Sequence, residues 1–383
     1  MMIRTAAVVG AGIGGMAAAL SLARRGVAVT VHERAPAFDD VGAGLQIGPN
    51  GVHVLRALGL GAELDAHAAR PRAVEMRDGL SGRLVAAVDM AAAEGRYGAP
   101  YLQLHRADLL AVLTEAATGA GATLRFASEI DPGAPPQADA VIAADGVRSA
   151  FRRRALPDVA PAFTGQVAWR ALVPHGAAAD GLDPGRTLLF MGPGRHVVVY
   201  PLRGGALWNL VAVEARDAWT AEGWTAVADV ERMRAGFAGW CAPVTRLLAA
   251  VGEGREWGLF AHGALPRWHR GNVALLGDAC HPMLPFLAQG ATMAIEDAWV
   301  LADCLERHGD VPAALAAYER ARKPRVTRVQ RAAARNARLY HLPPGPLRAG
   351  LRAGMAGVGA LAPGGLLARF DWLYGHDVTG GAG

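Results

Sequence analysis

The first apolar positions of the chain follow the pattern of a strand, a helix and a second strand. Residues 3–9 form a Val-rich apolar run, apolar residues at helical spacing follow over 16–25, and residues 28–32 form another short apolar run. Gly26 ends the helical pattern. The lengths of these segments predict a βαβ unit, in which the two strands are parallel neighbours.

A glycine-rich segment, Gly10-Ala11-Gly12-Ile13-Gly14-Gly15, joins the first strand to the helix. In a dinucleotide-binding unit Gly10 permits the tight turn, Gly12 lets the backbone approach a pyrophosphate, and Gly15 lets helix and strand pack closely. The amino terminus of the helix then offsets the phosphate charge. Glu33 follows Gly15 by 18 residues, close to the roughly 20 that separate this motif from a ribose-binding acid. Because no second such motif follows a strand and opens a helix, we expect one tightly bound dinucleotide.

Beyond residue 160 the apolar positions change to a period of two, which is typical of half-buried strands. Strands are predicted over 166–173, 187–191, 196–202 and 206–213, with Arg203-Gly204-Gly205 as a hairpin turn. These strands predict a mostly antiparallel sheet. The later predicted elements are a helix over 225–250, a strand over 272–276, a helix over 291–307, and a helix over 312–340 with a kink or break near Lys323, before Pro324.

Composition and charge narrow the class of protein. Of the 383 residues, 52% are apolar and 19% are charged, which predicts a globular protein with two lobes. The net charge of +5 is spread along the chain, so we expect no nucleic-acid partner, while the positive excess suits an anionic cofactor and an acidic substrate. The apolar stretch 6–23 is glycine-rich and 350–370 is broken by Pro363-Gly364-Gly365, so neither predicts a signal peptide or a membrane span.

The three cysteines, Cys241, Cys280 and Cys304, are an odd number without CxxC or metal-ligand spacing. We interpret them as small buried apolar residues. They predict a protein of the reducing cytoplasm with no metal site.

Four stretches together resemble the flavoprotein aromatic hydroxylases of the para-hydroxybenzoate hydroxylase fold, over nearly the whole chain. They are the glycine-rich segment 10–15, His105-Arg106-Ala107-Asp108-Leu109, Ala144-Asp145-Gly146-Val147-Arg148-Ser149, and Gly277-Asp278-Ala279-Cys280-His281-Pro282 with Ala288-Gln289-Gly290-Ala291. Within that family, segments 42–50, 196–205, 289–297 and 371–375 resemble 3-hydroxybenzoate 6-hydroxylase most, followed by salicylate hydroxylase and 6-hydroxynicotinate 3-monooxygenase.

The resemblance implies a fold and a division of the chain. The fold class is α/β with an α+β second lobe: a Rossmann-like FAD-binding domain of glutathione-reductase type, an inserted antiparallel-sheet domain and C-terminal helices. Residues 1–160 and 271–340 would form the FAD-binding domain, 161–270 the substrate-binding sheet domain, and 341–383 a C-terminal helical tail. Between residues 128 and 140, where the family has a three-stranded meander, only a short Pro-rich link is expected.

The resemblance also implies the cofactors. FAD would be bound tightly and without a covalent bond, with NADH or NADPH and O2 as co-substrates. Glu33 would bind the adenosine ribose, Arg106 the phosphate–ribityl region and Asp278 the ribityl hydroxyls, while Asp145 would serve both FAD and the nicotinamide nucleotide. The remaining expected cofactor residues are Gly10, Gly12, Gly15, Arg34, Pro285, Gly290 and Ala291.

The strand over 196–202 carries the expected catalytic pair. His196 and Tyr200 share a face, with Cα atoms about 13 Å apart, so both could reach an aromatic ring placed between them. His196 is a base of suitable intrinsic pKa for a phenol, and Tyr200 a hydrogen-bond partner for the phenolate. The resemblance adds Gln289 to the catalytic group. An ordinary structural role for His196 and Tyr200 is the alternative.

The substrate pocket would include Gln46 and Phe286, and apolar side chains near Phe286 would keep it dry. The predicted function is FAD-dependent hydroxylation of a small phenolic or heteroaromatic acid through a C4a-hydroperoxyflavin, by a monomer or homodimer. Three alternatives remain: an NAD-dependent dehydrogenase, a non-catalytic flavoprotein, and an epoxidase or tailoring hydroxylase acting on a larger lipid or polyketide.

Overall fold

The computed structural model describes residues 3–38, 44–177, 181–219, 228–362 and 364–380. Gly42 and Ala43 of the resembling segment, Pro363, and residues 225–227 of the predicted helix lie outside the described residues. The strands are β1 Thr5–Val9, β2 Ala28–His32, β3 Gly44–Ile47, β4 Ala73–Asp78, β5 Leu84–Asp89, β6 Leu102–His105, β7 Thr123–Arg125, β8 Ala140–Ala143, β9 Ala162–Pro174, β10 Arg186–Gly192, β11 Arg195–Leu202, β12 Leu207–Ala215, β13 Arg255–Ala261, β14 His269–Arg270 and β15 Val273–Leu275. The α-helices are α1 Ile13–Ala23, α2 Pro49–Ala57, α3 Gly61–His67, α4 Ala93–Tyr97, α5 Arg106–Gly119, α6 Ala150–Ala155, α7 Val230–Gly236, α8 Ala242–Ala249, α9 Gly290–Arg307, α10 Val311–Tyr340, α11 Pro346–Leu361, α12 Gly365–Ala368 and α13 Asp371–Tyr374.

The first sheet confirms the predicted α/β architecture. Its strand order is β14-β15-β8-β1-β2-β7, and all neighbours are parallel except β14 and β15. The central strands β1 and β8 are buried, and α1 packs between α5 and α9. Such burial on both faces is typical of a parallel sheet covered by helices. The carboxyl ends of β1, β8 and β15 lead into the segments 10–15, 144–149 and 277–282, respectively.

The second sheet has the strand order β13-β9-β12-β11-β10-β4-β5. It is antiparallel except where β10 pairs with β4. The expected boundary at residue 160 does not separate the two sheets, because β4 and β5 come from the first part of the chain and form one edge of the second sheet. One face packs against α7 and α8 in an apolar cluster around Trp169 and Trp208; the other turns towards the nucleotide-binding lobe, where β3 and β6 form a short ribbon.

Two predicted helices differ from the structure. The helix predicted over 225–250 is two short helices, α7 and α8, because Gly239 takes a left-handed conformation between them and Pro243 opens the second. Of the kink or break predicted near Lys323, the break is absent, because α10 runs through Pro324 as one helix of 30 residues. Ion pairs from Arg322 and Arg325 to Glu296 on α9 hold the turns on both sides of this proline.

The C-terminal segment lies against both lobes. Helix α11 packs on β5 at the edge of the second sheet, where Arg348 and Arg352 pair with Asp78. Tyr374 at the end of α13 is buried beside Tyr101, with ring centroids 5.9 Å apart. Within the described ranges, no helix combines the length and hydropathy needed to cross a bilayer.

Candidate active site

The glycine-rich loop has the geometry of a dinucleotide-binding turn. Gly10 has a φ of +102°, and a Cβ there would lie 2.4 Å from the carbonyl oxygen of Ala144. A Cβ on Gly15 would lie 1.9 Å from the carbonyl oxygen of Gly10, whereas a Cβ on Gly12 would have no atom within 4 Å. Gly10 and Gly15 are therefore required by packing, while Gly12 borders open space at the amino terminus of α1.

Glu33 lies directly after β2, against this loop. Its carboxylate accepts hydrogen bonds from the backbone N–H groups of Ala11 and Ala35, both at 2.9 Å. Each oxygen retains the capacity to accept another hydrogen bond, as a ribose contact would require. Arg34 is exposed beside it.

Arg106 and Asp278 approach each other from the two sides of the cleft. Arg106 begins α5, and burial lowers the pKa of its guanidinium while Asp278 opposes that shift. Desolvation raises the pKa of the Asp278 carboxyl, although its side chain is exposed along an open cavity of about 530 Å³. Trp257, Pro282 and Arg152 line the same cavity.

Asp145 and Arg152 organise the segment after β8. One Asp145 carboxylate oxygen accepts hydrogen bonds from the N–H groups of Ala150 and Phe151 at the start of α6, while the other is buried without a partner among the described residues. The fully buried Arg152 donates to the carbonyl oxygens of Val147 and Ala279. This arginine, which the sequence analysis missed, joins the segment around Asp145 to that around Asp278.

The loop before α9 brings a strained backbone to the centre of the site. Ala288 has a φ of +51°, a left-handed conformation that is costly for a residue with a Cβ. Its N–H bonds the carbonyl oxygen of Pro285 at 3.0 Å. Gln289 then caps α9, and Gly290 opens the helix with space around it, since a Cβ there would meet only Met283 at 3.9 Å. The positive end of the α9 dipole therefore faces open space near Ala291.

His196 is buried at a contact between β11 and the end of α10. Its Nδ1 is hydrogen-bonded to Nε2 of His341 at 2.7 Å, and its ring lies edge-on to Phe286 with centroids 5.0 Å apart. Burial lowers the pKa of His196 well below its ordinary value, and His341 adds to that shift. Desolvation therefore disfavours the protonated form of His196, and its role as the base for a phenol stays a prediction.

Tyr200 shares the His196 face of β11 and contacts the ribbon. A Cβ on Gly44 would lie 2.6 Å from the Tyr200 hydroxyl, so only glycine fits there. Gln46 accepts a hydrogen bond from the Tyr101 hydroxyl, and its side chain partly opposes the rise in the pKa of Tyr200. Burial raises the pKa of Tyr200, which keeps its hydroxyl protonated as a hydrogen-bond donor.

Arg170 adds a positive charge that the sequence analysis missed. It lies on the β9 face turned to the nucleotide-binding lobe, with its guanidinium 4.9 Å from the centre of the Trp257 ring. Burial lowers its pKa, the Tyr200 side chain opposes that shift, and Nε has no acceptor among the described residues. Its alternation with the buried Trp169 could have indicated this orientation.

Within the described ranges, no group of three or more His, Cys, Asp or Glu side chains could hold a metal ion. Cys241, Cys280 and Cys304 are buried free thiols.

The comparisons with known proteins decide the family. Residues 4–133 and 136–333 match the model of a family described as FAD binding domain. The chain belongs to this family. The curated relatives include a 3-amino-4-hydroxybenzoate 2-monooxygenase of Streptomyces platensis, which is 38% identical over 97% of this chain and 96% of the relative. They also include a 6-hydroxynicotinate 3-monooxygenase of Bordetella bronchiseptica, which is 38% identical over 85% of this chain and 89% of the relative. A solved salicylate hydroxylase substrate complex matches with a TM-score of 0.82 at 28% identity, covering 99% of this chain and 97% of the other.

The described residues fit FAD, the cofactor of this family. Gly12 leaves the open approach that a pyrophosphate needs, and the buried Asp145 oxygen and the Arg106 guanidinium offer polar groups in the cleft. The cations Arg106 and Arg170 suit the negative charge of the cofactor and of an acidic substrate.

Proposed function

We propose that this protein is an FAD-dependent monooxygenase that hydroxylates a small phenolic or heteroaromatic acid, with NADH or NADPH and O2 as co-substrates. The observation that carries the proposal is the juxtaposition of Tyr200 and Arg170 on the face of the second sheet that meets the FAD-binding lobe. A protonated hydroxyl and a half-buried guanidinium that has no carboxylate partner among the described residues are the groups that a phenol carrying a carboxylate would use.

The residues divide the work between the cofactor and the substrate. Glu33, Arg106, Asp145 and Asp278 hold FAD, which when bound supplies the redox chemistry of oxygen insertion. Tyr200 donates a hydrogen bond to the phenolic oxygen of the substrate and favours its deprotonated, electron-rich form. The neutral His196 accepts the phenolic proton and shares it with His341.

The cleft also excludes water from the reacting ring. Phe286 is 5% exposed and packs with Ala168, Val213 and Trp257 in a small apolar cluster next to His196. Asn336 and Tyr340 donate hydrogen bonds to the Phe286 carbonyl oxygen, which hold this wall in place. The free thiols support placement in a reducing cytoplasm.

A substrate panel tests the proposal. Purified, FAD-loaded protein is assayed for stimulated NADH and NADPH oxidation with hydroxybenzoates, aminohydroxybenzoates, salicylate and hydroxynicotinates, and products are identified by mass. We expect at least one acid to stimulate oxidation and gain one oxygen; loss of CO2 would indicate a salicylate type of reaction. Stimulation only by long-chain lipids or polyketides, or by no compound, would contradict the proposal.

A further inference from the structure

Three buried polar side chains form a continuous chain that ends at the active-site loop. Asn50 on α2 donates one amide hydrogen to a Glu296 carboxylate oxygen at 2.6 Å and the other to Oε1 of Gln289 at 3.1 Å. All three side chains are at most 1% exposed. Asn50 comes from the first part of the chain and the other two from α9 and its cap, so the contact ties the two parts of the FAD-binding lobe together.

Only one orientation of the Asn50 and Gln289 amide groups satisfies the hydrogen bonds between these three side chains. An ionised carboxylate only accepts hydrogen bonds, so Asn50 must turn its NH2 group towards Glu296. That NH2 group carries both of the hydrogens that Asn50 can donate, and the second points at Gln289, which must therefore present its oxygen. The Gln289 NH2 group is consequently directed away from Asn50. Reversing the Gln289 amide would bring two donors face to face.

Two arginines stabilise the negative charge of Glu296, the residue at which this chain of hydrogen bonds begins. Arg322 pairs with Glu296 at 2.6 Å and Arg325 at 2.7 Å, both from α10. Although burial raises the pKa of the Glu296 carboxyl, these guanidiniums and the Asn50 hydrogen bond bring it below its ordinary value. Glu296 is therefore an ionised acceptor, and the polarity of the chain does not reverse.

Gln289 lies at the other end of this chain of hydrogen bonds, and its NH2 group is still available to donate. The Gln289 Nε2 is buried and has no acceptor among the described residues. A buried amide donor without an acceptor is costly, and Gln289 immediately precedes the open backbone of Gly290. An acceptor atom brought by a ligand would remove that cost.

We propose that Asn50 is a positioning residue which, with Glu296, holds Gln289 as an obligatory hydrogen-bond donor to an oxygen of the bound ligand. The site then selects a ligand with a carboxylate, phenolate or carbonyl oxygen at this point and disfavours a donor such as an amino group. This oxygen belongs either to the aromatic substrate or to the flavin, and for the substrate the inference rests on the proposed function.

Asn50→Asp and Asn50→Ala separate polarity from packing. In Asn50→Asp the carboxyl group has at most one hydrogen, which goes to Glu296, so Gln289 must turn its NH2 group to position 50 and its oxygen to the ligand. In Asn50→Ala nothing dictates the orientation of Gln289, and the ligand can still recruit its NH2 group. We expect ligand Kd to rise about 10- to 100-fold in Asn50→Asp and only a few-fold in Asn50→Ala, although alanine removes more packing.

Two titrations identify the source of the oxygen. One measures the Kd of FAD for the apoprotein, and the other the Kd of 3-amino-4-hydroxybenzoate for the FAD-loaded protein from the change in flavin absorbance. If the substrate supplies the oxygen, the Asn50→Asp effect appears in the second titration, and it disappears with 2-aminophenol or with 3-aminobenzoate, according to which oxygen is used. If the flavin supplies it, the effect appears in the first titration.

A second pair of variants leaves Asn50 intact. Gln289→Glu presents a carboxylate oxygen to the ligand, and Gln289→Leu presents an apolar group of similar size. We expect Gln289→Glu to bind more weakly than Gln289→Leu in the same titration. An Asn50→Ala defect as large as that of Asn50→Asp in both titrations, or equal binding by the two Gln289 variants, would overturn the inference. A wild-type protein that binds no aromatic acid would instead contradict the proposed function, while the FAD titration would still test the polarity.

Discussion

His196 on the second sheet and His341 at the end of α10 are joined by a hydrogen bond of 2.7 Å between Nδ1 and Nε2. His341 in turn lies 3.4 Å from the Gln166 amide nitrogen. His341 is only partly buried, so the pair connects the interior of the cleft with a position nearer the surface. The tautomer of His196, and therefore whether its other ring nitrogen donates or accepts, depends on His341.

His341→Leu removes the partner of His196 and leaves Nδ1 buried without a hydrogen bond. We expect kcat for hydroxylation to fall about 10- to 100-fold, because the base loses its orientation and its route for the proton. FAD content and the flavin spectrum stay unchanged. Stopped-flow reduction and product yield measure these effects, with the exposed His67→Leu as control. Wild-type hydroxylation in His341→Leu would assign the pair a purely structural role.

The same pair makes stability depend on pH. Burial lowers the pKa of His341 to about 4 and that of His196 well below its ordinary value, so both rings are neutral when folded. The unfolded chain takes up protons below about pH 6.5. Stability is therefore full above that pH and is lost as the pH falls from 6.5 towards 4, by about 1–2 kcal/mol at pH 5 for His341.

Thermal unfolding from pH 7.5 to 5 measures this dependence. We expect the Tm of wild type to fall more steeply than that of His341→Leu, so that the difference between them narrows with acidification. A difference that stays constant over this range would show that the pKa of His341 is not lowered in the folded state.

Tyr200→Phe tests the donor to the substrate. Because burial keeps the Tyr200 hydroxyl protonated, its removal takes away the hydrogen bond that favours the phenolate. We expect hydroxylation to fall by about 10² to 10⁴, with NADH oxidation continuing and H2O2 released. Tyr97→Phe, which loses only a hydroxyl bonded to Leu367 and Asp371, is the control. If NADH oxidation in Tyr200→Phe stays fully coupled to hydroxylation, other groups activate the substrate.

The local elements were predictable because their signals lie close together in the sequence. The βαβ unit, the β11–β12 hairpin and the segments around Asp145 and Asp278 all depend on neighbouring residues. The pairing of β4 with β10 joins residues more than 100 positions apart and leaves no local pattern. Asn50, Arg170 and His341 were missed for the same reason, since only the tertiary fold brings each of them near the groups that it contacts. The chain does not break at Pro324, since ion pairs hold the helix turns on both sides of it against the neighbouring helix α9.

Arg170→Met keeps the length of the side chain and removes its charge. We expect the Kd of 3-amino-4-hydroxybenzoate to rise about 10-fold or more, because a charge-assisted hydrogen bond to the carboxylate is lost. The Kd of 2-aminophenol, which lacks the carboxylate, should change little and provides the control. An equal loss for both ligands would indicate that Arg170 supports the flavin or the sheet rather than the acid group.

Gly12→Ala tests the approach of the pyrophosphate without disturbing the fold. A Cβ at Gly12 meets no atom within 4 Å, so the apoprotein should fold with an unchanged Tm. The added methyl group occupies the space that the backbone leaves for the phosphates, and we expect the Kd of FAD to rise about 10-fold or more. Gly15→Ala is the opposite case: its Cβ would lie 1.9 Å from the Gly10 carbonyl oxygen, so the apoprotein itself should be destabilised. Full FAD occupancy with wild-type affinity in Gly12→Ala would place the pyrophosphate elsewhere, because a methyl group at position 12 would then not meet the phosphates.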